Sequence, residues 1–428
     1  MRRERNFEFR ISDFRFAVVL VFVIFPLSSW AQTYAIRNAR IVTVSGGTIP
    51  NGQILIQDGR IAAVGPNIAI PSSARIIDAK GLSAYPGMID PHTAIGLTEI
   101  DSIVATQDTN ELGDLNPHMR ASSAINPQSE HVAITRVNGV TTVASVPEGG
   151  LFAGQSAIIN LDGWVVKDML LKDAAAMMIN FPREVPPRAN ATDRQRRDAE
   201  EARRKRIDLL RKTLRDAQSY ARLVDAKVDA DSDLALRALV PVVKGTMPAI
   251  FAVNTATEIK EALEIADEFK LTAILSGCAE AWRVIDLLKS KNVPVLFSGL
   301  LNLPANDSDP YDAHFSTPAM LSKAGVKFAF TAGGASGVRD LPFEAGMAVG
   351  FGLEQEEALK AVTLYPAQIL NIADKVGSIE EGKIANILLT DGDPLELRTH
   401  VKQLFIAGKP VELESKHTDL YKIFSKRP

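Results

Sequence analysis

Histidine, cysteine and acidic side chains at the ends of apolar runs are the groups in this chain that could do chemistry. The sequence has six histidines and a single cysteine. His92 follows Asp90 at the end of an apolar run, whereas His118 and His314 fall in predicted loops. A catalytic divalent metal needs about three protein ligands and one open position. We therefore expect a metal site only if other donors join His92, and His118 and His314 are the candidates.

Two further positions offer chemistry of another kind. Cys278 ends a predicted strand and could be a nucleophile, but no histidine or aspartate partner is evident, and a lone buried cysteine usually acts as a small hydrophobe. Arg339 could hold an anionic ligand, or it could pair with its neighbour Asp340. These residues are therefore candidates for a pocket, and no catalytic residue is assigned.

The central part of the chain alternates short apolar runs with helical periods. Ala249–Val253 is typical of a strand, and Glu258–Phe269 places apolar residues on one helical face. This alternation predicts parallel βαβ units. A stretch of about 290 residues suits a (β/α)₈ TIM-like barrel in the α/β class, which typically takes ~250 residues. A doubly wound sheet is the alternative, although no G-x-G-x-x-G follows an early strand.

The two ends of the predicted mature chain are rich in strands. Three runs near residue 34 precede the barrel, and Asp58-Gly59 between two of them predicts a tight hairpin. A second strand-rich stretch covers residues 385–413. Because neither stretch can bury a core alone, we predict a small composite β-sandwich from residues 32–85 and 376–428, with the barrel over residues 86–375.

Asp193–Asp216 is a dense mixture of Arg, Lys, Asp and Glu. We interpret the region near 190–222 as an inserted charged helix that lies outside the barrel, where i,i+4 pairs support it in solvent. A docking site for another molecule is the alternative.

Residues 1–31 have the pattern of a signal peptide. Five arginines precede a 12-residue apolar run, and Ala31 supplies the small residue before a cleavage site at Gln32. That run is shorter than the ~20 residues a membrane-spanning helix needs, so we expect an exported, periplasmic or secreted protein with no stable membrane span after cleavage. A retained anchor is the alternative.

The amino-acid composition excludes several classes of protein. Hydrophobic residues make up 46% and charged residues 23%, and the net charge is −3. These values exclude a disordered, collagen-like or multi-spanning membrane chain, and no broad basic patch favours a nucleic-acid partner.

Four motifs carry a family resemblance. They are Gln57 to Gly65, Pro86-Gly87-Met88-Ile89-Asp90, Gly139-Val140-Thr141-Thr142-Val143, and Gly377 to Lys383 followed by Asp391-Gly392-Asp393-Pro394. The chain resembles the amidohydrolase superfamily over nearly all of residues 34–413, most closely its imidazolonepropionase-like and prolidase-like branches. The resemblance implies a sandwich-plus-barrel architecture. It also implies a divalent metal, zinc, iron or manganese, whose bound hydroxide breaks a C–N bond.

The sequence departs from the family's metal ligands at the first, fourth and fifth strands of the barrel. The His-x-His pair of the first strand reads His92-Thr93-Ala94 here, so the second histidine is missing. Where the resemblance places the fifth-strand histidine, the chain has Ala252 with Asn254 nearby. The likely fourth-strand region, residues 174–180, lacks a lysine or acid that could bridge two metals.

The same departure continues in the last strands. The sixth-strand histidine is absent near Ser276 and Cys278, and the aspartate expected after Thr331 is Ala332. We expect the pocket to be formed around the residues that remain at these positions. The candidates are Asp90, His92, Asn254, Ser276, Cys278, Thr331 and Arg339.

Two functions follow as expectations. The resemblance implies a metal-dependent hydrolase of cyclic or other non-peptide C–N bonds. The substituted ligands instead favour a metal-free protein of the same fold, which binds a small molecule or serves as partner subunit to an active paralogue, because metal affinity depends on ligand count and geometry. A homo-oligomer is also expected by analogy.

Overall fold

The computed structural model describes residues 32–184, 192–227, 233–304 and 308–427. The predicted signal peptide, residues 1–31, lies outside the described residues. Within them, none of the helices combines the length and the apolar character that a membrane crossing requires.

Strands and helices alternate through most of the chain. The strands are β1 (Tyr34–Val42), β2 (Thr48–Gln57), β3 (Arg60–Gly65), β4 (Arg75–Asp78), β5 (Ser83–Pro86), β6 (Met88–Thr93), β7 (Val140–Ser145), β8 (Phe152–Gln155), β9 (Ala157–Asn160), β10 (Leu170–Lys172), β11 (Met177–Asn180), β12 (Ala249–Val253), β13 (Ala273–Gly277), β14 (Val295–Phe297), β15 (Phe328–Phe330), β16 (Ile387–Thr390), β17 (Val401–Ile406) and β18 (Lys409–Val411). The α-helices are α1 (Glu130–Arg136), α2 (Val166–Met169), α3 (Asp193–Asp225), α4 (Leu234–Val243), α5 (Ala256–Phe269), α6 (Ile285–Lys291), α7 (Ala313–Ala324), α8 (Leu341–Gly350), α9 (Gln355–Ala361), α10 (Leu364–Ile369) and α11 (Lys416–Phe424).

Strands from both ends of the described chain pair in one sheet. Its order is β18-β17-β16-β5-β1-β2-β3, and β4 pairs with β1. Asp58 and Gly59 have φ angles of 51° and 78°, as the predicted hairpin turn requires. Ile36, Ile54 and Phe405 lie in the buried core of this sheet, which joins residues from both ends. The arrangement of the sheet as a two-layer sandwich stays a prediction.

The barrel strands form two sheets, which are connected by the continuous segment β8–β9. The first sheet has the order β10-β9-β7-β6, and the second has the order β15-β14-β13-β12-β11-β8. β6 and β7 are parallel, and so are β11 to β15. β8 and β9 follow each other across Ser156, and each is antiparallel to its barrel neighbour. The barrel-like α/β fold is therefore present, with one antiparallel strand among the parallel ones.

The antiparallel strand has a simple cause in the connection that precedes it. Only residues 146–151 separate β7 from β8. A parallel crossover needs a dozen or more residues, so the chain can return only in the opposite direction. The expectation of a fully parallel (β/α)₈ barrel is wrong at this strand for that reason.

The charged segment forms α3, which lies with α4 between the parallel strands β11 and β12. Thr192 and Gln195 form a capping box at its start. Four residues at helical spacing, Leu210, Leu214, Ala217 and Ala221, are buried on one face. The C-terminal half of α3 therefore packs as a crossover helix, although most of its other residues are charged.

A substitution at Gly87, which directly precedes β6, tests how closely the chain packs against β7 at the start of the barrel. Its N–H donates to the Asn386 carbonyl at 2.8 Å, and a Cβ added at Gly87 would lie 2.1 Å from Thr141 Oγ1. We expect Gly87→Ala to lower the free energy of unfolding by about 1–3 kcal/mol, because a buried overlap must be relieved. Gly350→Ala is the control, since a Cβ there meets no atom within 4 Å. Equal midpoints of denaturant unfolding for the two variants would contradict this packing.

Candidate functional site

Asp90 links the first and last barrel strands, β6 and β15. Its carboxylate is fully buried near the end of β6. Oδ1 accepts hydrogen bonds from His92 N at 3.0 Å and from Thr331 Oγ1 at 2.6 Å, and Oδ2 accepts from Ala332 N at 3.0 Å. Between β15 and β6 the structure has a single backbone bridge, Thr93 to Gly333, in place of a ladder. The carboxylate therefore holds together the seam between the first and last barrel strands.

His92 lies two residues beyond Asp90 and turns its ring toward the barrel interior. Its Nδ1 is 2.7 Å from Ser276 Oγ on β13. Burial lowers the pKa of His92 to about 4, so the imidazole is neutral at physiological pH. Nδ1 of a neutral imidazole can either donate a hydrogen bond to the hydroxyl or accept one from it, and Nε2 stays available to another group.

An open cavity of about 710 Å³ lies at the carboxyl ends of the barrel strands. This is the end of a barrel where ligands bind. Its lining comes from strand ends, from the loops after β7 and β11, and from α3. The lining residues are His92, Glu148, Gly149, Gly150, Met178, Asn180, Phe181, Pro182, Arg183, Ala199, Ala202, Arg203, Arg206 and Ala252.

The N-terminal half of α3 forms one wall of this cavity. Ala199, Ala202, Arg203 and Arg206 have i, i+3, i+4 and i+7 spacing, so they share one helical face. That face continues the buried stripe of the C-terminal half. The charge of the segment predicts a solvated helix. A stripe of small residues and arginines continues the helical spacing of Leu210, and this stripe was the sequence signal for the cavity wall.

Two arginines anchor the wall. Arg203 pairs with Glu261 on α5, and its Nε donates to the Pro182 carbonyl at 3.1 Å. Arg206 pairs with Asp114 through one nitrogen at 3.0 Å. Because the Arg203 side chain is only 17% exposed, its contacts fix the helix against the barrel.

Asp90, His92, Ser276 and Thr331 are thus brought together, whereas three other pocket candidates have local roles. The Asn254 backbone N–H donates to Glu258 Oε2 at 2.7 Å. Cys278 is buried, and burial raises the pKa of its thiol, which keeps it protonated. Arg339 Nε lies 3.7 Å from Asp340, in the mutual pairing that was the alternative to ligand binding.

His118 and His314 lie apart from His92 in the structure. His314 Nδ1 is 3.0 Å from the Gly299 carbonyl. His118 lines a second cavity of about 310 Å³, which His92 does not line. Across residues 32–184, 192–227, 233–304 and 308–427, no three His, Cys, Asp or Glu side chains have the geometry to hold a metal ion.

Glu344 is a buried carboxyl that the sequence did not single out. In the described part of the chain its Oε2 has no hydrogen-bond partner. Burial, together with the nearby carboxylates of Asp90 and Asp340, raises the pKa of Glu344 to about 8. A glutamate within the apolar run of α8 was the available signal, but its neighbour Asp90 is distant in sequence.

The comparisons with known proteins agree with this geometry. The sequence profile of the amidohydrolase family matches residues 84–413. The chain belongs to the amidohydrolase family. The match begins in β5 and ends beyond β18, so this amidohydrolase-family chain shares both the barrel and part of the terminal sheet with its family.

Two relatives illustrate the range of the similarity. The chain is 23% identical over 407 residues to the amidohydrolase tasK of Hapsidospora irregularis, a match of 86% of this chain and 41% of that protein. This chain therefore spans about two fifths of that relative. It is 25% identical over 399 residues to the imidazolonepropionase of Acidiphilium cryptum, with coverage of 84% and 93%.

Solved structures share the fold. An amidohydrolase from Thermotoga maritima aligns with a TM-score of 0.78 and 25% identity, over 89% of this chain and 99% of that one. A putative prolidase from Bifidobacterium longum aligns with a TM-score of 0.56 and 17% identity, over 92% and 99%. The second likeness shows the fold alone. The predicted resemblance to the amidohydrolase superfamily is confirmed, and the imidazolonepropionase match agrees with one of the two branches that it named, whereas the prolidase-like branch stays a prediction.

Thr331→Val tests the seam. Valine has the shape of threonine but no hydroxyl, so the seam would lose the contacts of the Thr331 hydroxyl with the Asp90 carboxylate and with the His92 carbonyl, which share its one proton. We expect the free energy of unfolding to fall by about 1–3 kcal/mol. The loss should be larger at pH 8 than at pH 5, because the hydroxyl stabilises the charged form of Asp90, whose pKa burial raises to about 6. Thr331→Ser keeps the donor and should restore most of the stability. Unchanged unfolding midpoints for Thr331→Val at both pH values would contradict this role.

Glu344→Gln tests the second buried carboxyl. A carboxyl whose folded pKa is raised binds its proton more tightly in the folded state, so stability falls as pH rises from the unfolded pKa toward 8. Glutamine removes the titration. We expect the variant to exceed the wild type by about 2–4 kcal/mol at pH 9 and to match it near pH 4. Glu264→Gln, at an exposed site on α5, is the control. A pH–stability curve for Glu344→Gln that parallels the wild type would refute the assignment.

Proposed function

We propose that this chain is an exported amidohydrolase-family protein whose barrel cavity binds a small molecule without the metal hydroxide that the family implies. The observation that carries the proposal is the donor set around His92. A divalent cation with an open position needs about three protein ligands. The described residues around His92 do not supply them.

The donors near His92 are already committed to other contacts. Asp90 uses both carboxylate oxygens to accept three hydrogen bonds, and those from Thr331 and Ala332 cross the seam. His92 Nδ1 is engaged with Ser276, which leaves Nε2 as its one available donor atom. The other positions where the resemblance implies ligands carry Ala94, Ala252 and Ala332. These side chains do not fit a catalytic divalent metal, so no hydrolytic step is derived through one.

The remaining groups suit binding. His92 presents a neutral ring to the cavity, and Met178, Phe181 and Ala252 give it apolar walls. A concave site that combines apolar walls with placed polar groups is typical of small-molecule pockets. Ligand binding can therefore persist where metal chemistry is absent.

The second candidate is a metal-dependent hydrolase of cyclic or other non-peptide C–N bonds. It is favoured by the match to an imidazolonepropionase over 93% of that protein. In such an enzyme a zinc, iron or manganese ion would supply an activated hydroxide. Here His92 is the one family ligand that could contribute to such a site.

The proposal also covers where the protein is located and what it assembles with. The arginine-rich start, the short apolar run and Ala31 support cleavage before Gln32 and a periplasmic or secreted location. A protein without its own hydroxide can also act beside an active paralogue, so a partner subunit or a homo-oligomer is part of the proposal.

Elemental analysis of the exported protein, purified without chelator or polyhistidine tag, tests the metal claim. We expect less than about a tenth of an equivalent of zinc, iron or manganese, because one imidazole does not retain such an ion. Intact mass spectrometry of the same sample should give a chain that begins at Gln32. The matched variant is His92→Ala. Near-stoichiometric metal that disappears in this variant would overturn the proposal in favour of the hydrolase.

A further inference from the structure

We infer that α3 gives the barrel cavity an oxyanion subsite, and that the ligand is an organic acid whose carboxylate lies against Arg183 and Arg206. This inference rests on the proposed ligand-binding role and deepens it. Its starting point is the uneven distribution of charge around the cavity.

Basic side chains outnumber acidic ones among the lining residues. Among the residues that the structure describes, Arg183, Arg203 and Arg206 line the cavity, and Glu148 is the one carboxyl in the lining. The carboxylates that pair with Arg203 and Arg206, those of Glu261 and Asp114, are not part of the lining. The described lining of the cavity therefore carries more positive than negative charge.

The three arginines differ in how many donors they keep free. Arg203 has its Nε on the Pro182 carbonyl and both terminal nitrogens on Glu261, so it holds the wall in place. Arg206 uses one nitrogen for Asp114, and its side chain is 45% exposed. Arg183 makes no side-chain hydrogen bond to any residue that the structure describes. Arg206 and Arg183 can thus still offer N–H pairs, the geometry that matches a carboxylate.

Another part of the lining is apolar, with the side chains of Met178, Phe181 and Ala252. A volume of about 710 Å³ accommodates a molecule of metabolite to drug size. The ligand that suits both parts has an acid group at α3 and an uncharged body directed toward His92.

Matched acids and amides test this inference, because they share a body and differ in charge. The probes are benzoate with benzamide, N-acetyl-L-phenylalanine with its carboxamide, and N-acetyl-L-leucine with its carboxamide. Inorganic phosphate is added as a separate probe. Binding to the exported protein is measured by calorimetry at low and high salt. We expect at least one acid to bind about tenfold more tightly than its amide, with an affinity that falls as salt rises.

Variants assign the charge preference to the cavity wall. Arg206→Gln and Arg183→Gln should each weaken the acid by about fivefold or more and leave the amide unchanged. Glu148→Gln should strengthen the acid, since it removes the single carboxyl of the lining. Arg204→Gln is the control, because Arg204 is exposed on α3 and does not line the cavity.

The results separate this inference from the metal claim. Failure of every acid to bind, equal affinity for acid and amide, or equal effects of Arg204→Gln and Arg206→Gln would overturn the subsite. Binding of phosphate with no acid bound would overturn the carboxylate assignment. None of these outcomes changes the metal content measured for the same protein, so the two proposals fail independently.

Discussion

A single buried carboxylate, that of Asp90, links the first and last barrel strands of this protein. Asp90 lies where β15 and β6 meet without a backbone ladder, and it gathers donors from both edges. Because one of those donors is the backbone of His92, the same contact fixes the residue that faces the cavity. The hydrogen bonds of Asp90 hold the first and last barrel strands together, and Ala94, Ala252 and Ala332 occupy positions at which the family resemblance implies metal ligands.

Much of the fold could be predicted from local patterns. The apolar run Ala249–Val253 is β12 to the residue, and Asp58-Gly59 forms the expected turn. These features depend on neighbours in sequence, which periodicity and turn chemistry describe. The antiparallel strand β8–β9 could not be predicted from its own residues, since its direction is set by the short connection 146–151.

The candidate site was only partly predictable, because it depends on contacts between distant residues. His92 and Ser276 were both recognised at strand ends, but their hydrogen bond joins residues 184 positions apart. The many charged residues of α3 predict a solvent-exposed helix. They do not indicate which face of the helix packs against the barrel, so the cavity wall could not be predicted from them. Glu344 was missed for a similar reason: burial and the carboxylate of Asp90, far away in sequence, raise its pKa.

Nuclear magnetic resonance of the His92 imidazole tests the central claim most directly. The ring nitrogens report protonation, the bond to Ser276 and any coordinated ion together. We expect a neutral ring across pH 5–8, because burial lowers the pKa of His92 to about 4, and no shift of the ring nitrogens when one equivalent of zinc is added. Titration of the ring near its ordinary pKa, or a zinc-dependent shift of its nitrogens, would contradict the account and restore a metal centre to this barrel.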